Sequence, residues 1–388
     1  MRKKVKAALC ILLLLILTVP NVNAEVKGDA DGNGYIEPAD ARTVLRCSVG
    51  LERLRMGANC DMDGNGRIEP ADARAILRIS VGLDGEDNGK NETETVRRFS
   101  SAVSRAELNE NMDIFCNKIG SRWYKSDGMS RGKQKVISIL KYNGYRDADI
   151  DIDGFYCNGV YAENVIASIP TSTPLPDVVL FCAHYDSANI GTGAVDNASG
   201  VCAVLELSRI MKTMRVDFGF EVRFAFFACE EVGYCGAYRY INEYATYTRL
   251  RHSYVINVDM AGFSNKNNYN FLTVSTGLTG DVPSGSNRAS KIIDRAKQLT
   301  GHCGEDNYYS GVSAGLHDLR PFKEYGLNAV TLSWRVKDDK NPNYGEYYLA
   351  PSRYIHTGYD TMNHFNSDSL YMTTKLLAAA AAEIYLAE

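Results

Sequence analysis

Hydrophobic positions from residue 160 onward switch between short continuous runs and helical spacing. The apolar run at 178–181 predicts a strand that is buried on both faces. Soon after it, apolar residues within 201–211 recur at the spacing of a helix with one buried face. Further strand-like runs lie at 164–169, 220–228 and 254–258. This alternation predicts an α/β fold, a three-layer sandwich with a mostly parallel, mixed central sheet.

The amino-terminal part of the chain shows a different pattern, a duplication with an offset of 32 residues. The two copies, GDADGNGYIEPADARTVLRCSVGL and CDMDGNGRIEPADARAILRISVGL, lie within residues 28–83. In each copy a polar loop precedes apolar residues at helical spacing, which predicts one loop and one helix per copy.

Each of these loops has the donor spacing of an EF-hand, with side-chain oxygens at positions 1, 3, 5, 9 and 12 and a backbone carbonyl at position 7. Glycine occupies position 6 in both copies, where the chain must turn sharply. The predicted calcium ligands are Asp29, Asp31, Asn33, Tyr35, Glu37 and Asp40 in the first copy and Asp61, Asp63, Asn65, Arg67, Glu69 and Asp72 in the second. We therefore expect two structural Ca²⁺ ions, which would help to fold a segment too small to be stable by its core alone.

Position 12 is Asp rather than the Glu of ordinary EF-hands, and no helix is predicted before either loop. In this combination the segment 26–85 resembles a type I dockerin domain. The resemblance implies a small, all-α calcium-binding domain that binds a cohesin module of a scaffoldin. It thereby implies attachment to an extracellular cellulosome, whose function is polysaccharide breakdown.

The first residues have the three regions of a secretory signal peptide: a basic start, an apolar core of about a dozen residues and a small-residue end at Ala24. Because that core is too short to span a membrane stably, we expect a secreted protein with no membrane anchor after cleavage. The predicted organisation is a signal peptide at 1–24, a dockerin-like domain at 25–85, a polar linker at 86–99 and a catalytic domain at 100–388.

The net charge limits the classes of binding partner, and the cysteine count limits how many disulfides can form. A formal net charge of −4 and an isoelectric point near 6.0 give no basic surplus for nucleic acid or anionic membrane. Ten cysteines include one in the signal segment, so the remaining odd number leaves at least one thiol unpaired. Cys47 with Cys60, or Cys229 with Cys235, are candidate disulfides, and Cys182 is expected to be a small buried hydrophobe.

Polar residues follow the predicted strand at 178–181. His184 and Asp186 are two residues apart, so they face the same way while the chain stays extended. One can then bind a metal while the other orients the imidazole ring. A lone His-x-Asp triplet is also common on surfaces, so this pair needs further ligands before it indicates a metal site. Asp196 follows ten residues later, ahead of the next helix.

Two adjacent carboxylates, Glu230 and Glu231, follow the predicted strand at 220–228. If the backbone bends there, one can bind a metal while the other faces the attacking water as general base. A solvated loop is the alternative for such a pair on its own. Asp259 closes the next strand, where it could instead cap a helix, and His356 lies in a polar segment more typical of a surface.

Taken together, these residues supply two imidazoles and three carboxylates, enough for two zinc ions if one carboxylate bridges: His184, Asp196, Glu231, Asp259 and His356. Five segments occur in the order in which the M28 family of zinc aminopeptidases has them: AHYDS, GAVDNASG, FFACEEVG, INVDMAG and IHTGYDT. The chain resembles that family over about residues 160–375.

The resemblance implies a role for each of these residues. Asp196 would bridge the two zinc ions, and the peptide bond after it would be cis. The other ligands would divide into the pairs His184 with Asp259 and Glu231 with His356. Glu230 would be the general base for attack by a water bridging the two ions and would pass its proton to the leaving amine, while Asp186 would orient His184.

The sequence also departs from the family pattern. Ile355 stands where some members have a Tyr before the last His, so the donor to the oxyanion is unassigned. Many relatives have Ser-Asp-His before a Pro-Phe pair, whereas residues 317–322 of this chain read HDLRPF, so a pocket-lining role for His317 or Asp318 stays a hypothesis.

The function that these observations favour is a secreted, scaffold-tethered dinuclear zinc exopeptidase that hydrolyses amino-terminal residues from peptides. Three alternatives stay open at this point. A glutaminyl cyclase-like acyl transferase shares the fold and uses one zinc ion. A carboxypeptidase would need a cationic clamp such as Arg320 or Arg335. An inactive scaffold-bound module is the third.

Overall fold

The computed structural model describes residues 26–32, 36–55, 58–80, 92–247, 251–263, 270–277, 288–300, 308–313, 318–336 and 354–387. The chain divides into two compact units, Met1–Asn88 and Gly89–Glu388. The predicted signal peptide and two predicted calcium ligands, Asn33 and Tyr35, lie outside the described residues. Within those residues, no helix combines the length and the apolar character needed to cross a membrane.

The helices are α1 Pro38–Ser48, α2 Pro70–Ser80, α3 Glu92–Ser101, α4 Arg105–Asp113, α5 Asp127–Tyr142, α6 Ser199–Met214, α7 Cys235–Tyr240, α8 Arg288–Thr300, α9 Leu319–Glu324 and α10 Ser367–Ala387. The strands are β1 Ile150–Cys157, β2 Val160–Ile169, β3 Val178–His184, β4 Glu221–Phe227, β5 His252–Val258, β6 Asn270–Gly277, β7 Tyr308–Ser313 and β8 Ala329–Val336. Short helical turns add Ile114–Ile119, Asp147–Asp149, Ala194–Ala198 and Ile241–Tyr247.

The amino-terminal unit consists of α1 and α2 and the loops before them, one loop and one helix per copy as the duplication predicts. Both helices begin with a proline, whose fixed φ suits the first helical turn. They pack through a small core in which Val44 and Ile76 are fully buried. These two residues occupy equivalent positions in the two copies, so each copy buries its apolar face against the other.

One sheet of eight strands organises the second unit, in the order β1-β2-β4-β3-β5-β8-β6-β7. The four central strands β4, β3, β5 and β8 run parallel to one another. On either side of them, β2 is antiparallel to β4 and β6 is antiparallel to β8. The predicted α/β fold with a mixed central sheet is therefore confirmed.

Helices cover both faces of this sheet because successive side chains of β3 point to opposite sides. Val179 and Phe181 belong to the large core that includes residues of α6 and α10, whereas Leu180 and Cys182 pack in a second core with residues of α7 and α9. Every residue of β3 is buried. The helices thus form layers on both sides of the sheet, and β3 is its buried centre.

The predicted linker at 86–99 is wrong for much of its length, because α3 occupies its carboxyl-terminal part. Val96 and Phe99 of α3 are buried in the core of the second unit, and α3 packs on α10. Two apolar residues in a charged segment give too weak a periodicity to predict a helix. The helix forms because its apolar residues pack on α10, and such tertiary packing provides most of the stability of a short helix.

The predicted disulfides are also wrong. Cys157 at the end of β1 bonds to Cys235 at the start of α7, while Cys47, Cys60 and Cys229 are free. The bonded residues are 78 positions apart in sequence, so local spacing could not indicate the pair. They meet because α7 follows β4 and lies beside β1 in the folded chain.

Candidate metal centre

Two candidate residues lie at or just beyond the carboxyl ends of neighbouring parallel strands. His184 is the last residue of β3 and pairs with Phe227, the last residue of β4. Cys182 of β3 pairs with Asn257 of β5, and continuing this register by two residues places Asp259 beside His184. Parallel strands end at the same edge of a sheet, where α/β proteins place their ligands. The topology therefore brings distant parts of the chain to one edge.

A first cluster forms around His184. Its Nε2 lies 3.1 Å from Oδ1 of Asp196 and 3.5 Å from Oδ1 of Asp259. All three residues are buried. Their donor atoms lie within 4.8 Å of one another, close enough to share one metal ion.

A second cluster uses the other oxygen of the same aspartate. Nε2 of His356 lies 3.3 Å from Oδ2 of Asp196 and 2.9 Å from Oε2 of Glu231. The side chain of His356 is 58% exposed, whereas that of His184 is fully buried. Asp196 thus presents one carboxylate oxygen to each cluster, which is the arrangement of a bridging ligand.

The chemistry of the donors fits zinc. Imidazole nitrogens and carboxylate oxygens are its usual ligands in catalytic sites. Among the described residues, neither ring nitrogen of the buried His184 has a hydrogen-bond partner. A buried polar atom without a partner is unfavourable unless something else satisfies it. A metal ion between His184 and the facing carboxylates would do so.

The pKa values show how much charge is concentrated here. Burial alone would lower the pKa of His184, but the surrounding carboxylates, Glu230 foremost, raise it well above its usual range. Hydrogen bonds to Asp196 and Glu231 raise the pKa of His356 to about 11. Burial, reinforced by Asp196, raises the pKa of Glu231 to about 7. The clustered carboxylates favour positive charge beside them, and divalent cations can supply it in place of protons.

The turn after β4 bends as the sequence requires for Glu230 and Glu231 to take different roles. Cys229 adopts a φ of 61°, in the left-handed region, two residues after the end of β4. Asp186 then accepts hydrogen bonds from the backbone N–H groups of Glu230 at 3.1 Å and Glu231 at 3.2 Å. Its Oδ1 also lies 3.4 Å from Nδ1 of His184. Asp186 therefore contacts both the last residue of β3 and the turn that carries the two glutamates.

Glu230, unlike its neighbour Glu231, is not part of either metal cluster. Burial raises its pKa well above the usual range; His184 opposes the shift, and Asp318, Asp259 and Asp196 add to it. A carboxylate with a raised pKa is better suited to holding a proton between two steps of a reaction.

Asn164 of β2 closes the base of this turn, a role that the sequence did not indicate. Its amide donates to the carbonyl of Gly236 at 2.9 Å and accepts from the N–H of Ala228 at 3.1 Å. The disulfide at Cys235 anchors the same end of the turn. The two glutamates are therefore carried on a short segment whose two ends are tied together.

Asn197 ties the turn that carries Asp196 to the end of β5. The peptide bond between Asp196 and Asn197 is cis, as the family resemblance implied. The Asn197 amide donates to the carbonyl of Val258 at 2.9 Å and accepts from the N–H groups of Gly200 at 2.9 Å and Met260 at 3.2 Å. These bonds join the turn before α6 to the end of β5, where Asp259 lies.

Asp318 lies near this centre without joining either cluster. It is fully buried, and among the described residues neither of its carboxylate oxygens has a hydrogen-bond partner. Burial raises its pKa to about 8. The residue before it, His317, lies outside the described residues.

Other candidates point elsewhere or stay unassigned. Tyr354 stacks on His364 with ring centroids 4.3 Å apart, and nothing in its contacts assigns it as the oxyanion donor. Arg320, one candidate clamp for a substrate carboxylate, pairs with Glu324 at 2.7 Å. The side chain of Arg335, the other candidate, lies outside the description.

The amino-terminal loops gather acidic side chains independently in each copy. Oxygens of three carboxylates lie within 4.8 Å of one another in both, Asp29 with Asp31 and Asp40 in the first and Asp61 with Asp63 and Asp72 in the second. Asp40 accepts from the N–H groups of Ala30 at 2.9 Å and Glu37 at 2.7 Å. Asp72 does the same with Met62 at 2.8 Å and Glu69 at 2.7 Å.

Glu69, a further predicted calcium ligand of the second copy, lies outside its cluster. Glu69 lies 3.9 Å from Arg67, and Asn65 accepts a hydrogen bond from the N–H of Arg67. Position 9 of such loops commonly reaches the ion through water, so a side chain there need not join the cluster directly.

Comparison with known proteins adds evidence on the second unit. A family model described as "Peptidase family M28" matches residues 164–381. Aminopeptidase YwaD of Bacillus subtilis (strain 168) is 29% identical over 255 residues, which cover 64% of this chain and 51% of that protein. The chain spans about half the length of the curated relatives it matches first.

Solved structures share the fold. BSAP, a zinc aminopeptidase from Bacillus subtilis, superposes with a TM-score of 0.61 at 17% identity, over 72% of this chain and 94% of that one. A glutaminyl cyclase from Porphyromonas gingivalis superposes with a TM-score of 0.56 at 18% identity, over 72% and 98%. At these identities both similarities concern the fold, which hosts more than one reaction.

Proposed function

The chain belongs to peptidase family M28, and on that premise we propose that it is an exopeptidase with two zinc ions that hydrolyses amino-terminal residues from peptides. The observation that carries this proposal is the position of Asp196. Its two oxygens face two separate histidines, His184 at 3.1 Å and His356 at 3.3 Å. One carboxylate shared in this way favours a two-metal centre over a single ion.

The proposed ligands form two metal positions, which correspond to the two clusters of donor atoms. His184 and Asp259 complete one metal position, Glu231 and His356 complete the other, and Asp196 serves both. Zinc bound at these positions supplies Lewis acidity, which polarises a scissile carbonyl and makes nearby water a stronger acid.

Glu230 is the proposed general base. It takes the proton of the attacking water and delivers it to the nitrogen of the leaving amine, so that both steps use one group. Its raised pKa and its place beside the clusters, but outside both, support this role. Asp186 holds the Glu230 and Glu231 N–H groups and lies against Nδ1 of His184, which keeps the base and the first ligand in register.

The proposal is tested by counting zinc and by defining the product. Metal analysis should find two zinc ions per chain, and free amino-terminal peptides should lose their first residue. Peptides with a blocked amino terminus, and the enzyme after chelation, are the controls. Cleavage of blocked peptides at internal bonds, or undiminished cleavage after complete zinc removal, would contradict the proposal.

A glutaminyl cyclase-like acyl transfer is the second candidate, supported by the fold similarity to such an enzyme. It is distinguished by one zinc ion per chain and by a product that has cyclised at an amino-terminal Gln instead of losing it. The shared Asp196 favours the hydrolase.

For the amino-terminal unit we propose two Ca²⁺ ions, a dockerin-like fold and binding to a cohesin module outside the cell. The support is the identical arrangement of Asp40 and Asp72, each of which closes its loop through two backbone N–H groups. The signal-like start of the sequence supports secretion, and together these features support a peptidase tethered to a cellulosomal scaffold. A calcium titration followed by cohesin binding tests this part separately from catalysis.

A further inference from the structure

The segment that carries His356 is joined to the segment that carries Asp196 by one buried carboxylate. Asp360 follows His356 by four residues and is 2% exposed. Its Oδ1 accepts a hydrogen bond from the N–H of Val195 at 2.7 Å, and its Oδ2 accepts one from the N–H of Asp196 at 3.1 Å. Both oxygens are thus committed to two consecutive peptide groups, one of which belongs to the proposed bridging ligand.

The backbone of Asp360 strengthens the same junction. Its carbonyl accepts from the N–H of Thr192 at 2.8 Å and from the Thr192 hydroxyl at 3.1 Å. The two segments approach so closely that a Cβ on Gly191 would lie 2.6 Å from the carbonyl oxygen of Thr357 and 3.0 Å from that of Asp360. Gly191 also has a φ of 82°, so this contact depends on glycine for both space and conformation.

Arg122 holds the same loop from the opposite side. It is fully buried, and its guanidinium donates to the carbonyls of Tyr185 at 2.8 Å, Thr192 at 2.7 Å and Gly193 at 2.9 Å. The loop between β3 and the Asp196 turn is therefore fixed on one side by Arg122. Its other side is held by Asp360. Of the two residues, Asp360 is the one that bonds to the backbone of a proposed ligand, Asp196.

We propose that Asp360 is a positioning residue, which sets the orientation of Asp196 relative to His356 and thereby the spacing of the two metal positions. This inference rests on the proposed dinuclear function. Two hydrogen bonds accepted from consecutive N–H groups restrict the direction of the peptide as well as its position. Such supporting partners commonly contribute a factor of 10 to 100 in metal affinity.

The two metal positions should depend on Asp360 unequally. His184 and Asp259 lie at or just beyond the ends of β3 and β5, in the centre of the sheet, whereas the Asp360 carboxylate accepts its hydrogen bonds from Val195 and Asp196, outside both strands. The position formed by Glu231 and His356 takes one of its ligands from the loop of Asp360 itself. Loss of the Asp360 contacts should therefore weaken that position most.

The test is a zinc titration of the metal-free full chain, against a competing chelator, for the wild type and Asp360→Asn. Asparagine keeps the size and one acceptor oxygen but points an N–H₂ group at one of the two backbone N–H donors. We expect one of the two zinc affinities, which we assign to the position of Glu231 and His356, to fall at least tenfold while the other changes by less than threefold. Asp368→Asn is the control, because it makes the same substitution in the same part of the chain at a side chain that is 77% exposed.

Amide hydrogen exchange on the metal-free protein gives a readout that needs neither metal nor activity. The N–H groups of Val195 and Asp196 should exchange at least tenfold faster in Asp360→Asn than in wild type or Asp368→Asn. Thr192→Val, which removes the hydroxyl bond to the Asp360 carbonyl, should shift zinc affinity in the same direction by two- to fivefold. The Thr192→Val variant replaces Asp360→Asn in the zinc titration if Asp360→Asn does not fold.

Unchanged protection of the two amides in Asp360→Asn would overturn the proposed contact. Faster exchange with an unchanged two-site zinc titration would overturn the positioning role while leaving the dinuclear function intact. If the wild type itself binds fewer than two zinc ions, the proposed function fails first and the positioning role fails with it. If Thr192→Val is the variant used, an unchanged zinc affinity counts against the proposal.

Discussion

The amino-terminal repeat and the peptidase unit both gather carboxylates, but they do so over very different distances along the chain. In each repeat the clustered residues lie within a single loop and the first turn of its helix, as Asp61 and Asp72 do. In the peptidase unit the clustered residues extend from His184 to His356. The first arrangement is encoded by spacing, whereas the second is assembled by the order and direction of strands.

This difference has consequences for stability. The repeat has a small core built mainly on residues such as Val44 and Ile76, so bound cations would contribute a large share of its folding free energy. The peptidase unit has helices packed on both faces of an eight-stranded sheet. We therefore expect metal removal to unfold the repeat but to leave the peptidase unit folded and inactive.

Replacing Glu230 by Gln should have the largest effect on the peptidase unit. The amide keeps the shape but cannot take a proton, so kcat should fall by several orders of magnitude while zinc content stays at the wild-type value. Steady-state kinetics and metal analysis on one preparation measure both. Glu243→Gln, in the helical turn Ile241–Tyr247, is the matched control and should keep normal turnover. Normal turnover in Glu230→Gln would rule out the assigned base.

The next largest effect is expected from a substitution near the boundary between the two regions, in α3. Phe99 is 2% exposed in the core of the peptidase unit, although the sequence places it at the end of a polar linker. Phe99→Ala should lower the free energy of unfolding of that unit by about 3–5 kcal/mol, because it leaves a cavity in a packed core. Denaturant unfolding measures the change. A negligible change would restore the linker and move the boundary past α3.

Within the peptidase unit, the two histidines differ in burial, so replacing each of them distinguishes the effect of a buried side chain on stability from the effect of a metal ligand on activity. Replacing either His184 or His356 by Ala should remove one zinc ion and lower kcat/KM by about a hundredfold or more, since an inner ligand should matter at least as much as a supporting one. Only His184→Ala should also lower the melting temperature of the metal-free protein, because His356 is largely exposed. Equal melting temperatures for the two metal-free variants would show that burial at His184 contributes no stability.

The sequence indicated the residues that cluster better than the residues that hold them in place, and the reason is physical. His184 and Asp259 follow apolar runs that predict buried strands, and a polar residue at the end of such a run stands out. Arg122 carries no comparable signal, because its partners are backbone carbonyls of a remote loop. The Cys157–Cys235 pair depends likewise on a contact between elements that only the folded topology brings together.

The helix α3 shows a further reason for failure. Its own residues favour a polar, solvated segment, and its formation depends on the apolar surface of α10, which lies almost 300 positions away in the sequence. Local propensity is a weak guide wherever tertiary packing supplies most of the stability of a helix. Repeated local motifs are the opposite case, because both copies carry the same information within one loop.

The smallest effects are expected from single substitutions in the repeat, and they test whether its two copies are equivalent. Asp40 and Asp72 each accept two backbone N–H groups, so Asp40→Asn or Asp72→Asn leaves one N–H facing an N–H₂ group. Each should lower the free energy of unfolding of the repeat by about 1–3 kcal/mol and weaken one of two calcium sites, with peptidase activity unchanged. Calcium titration monitored by circular dichroism, beside an activity assay, measures both. Because the contacts are matched residue for residue, the two variants should agree closely. A large effect from one and none from the other would mean that only one copy depends on a cation, and a loss of peptidase activity would mean that the two units are not independent.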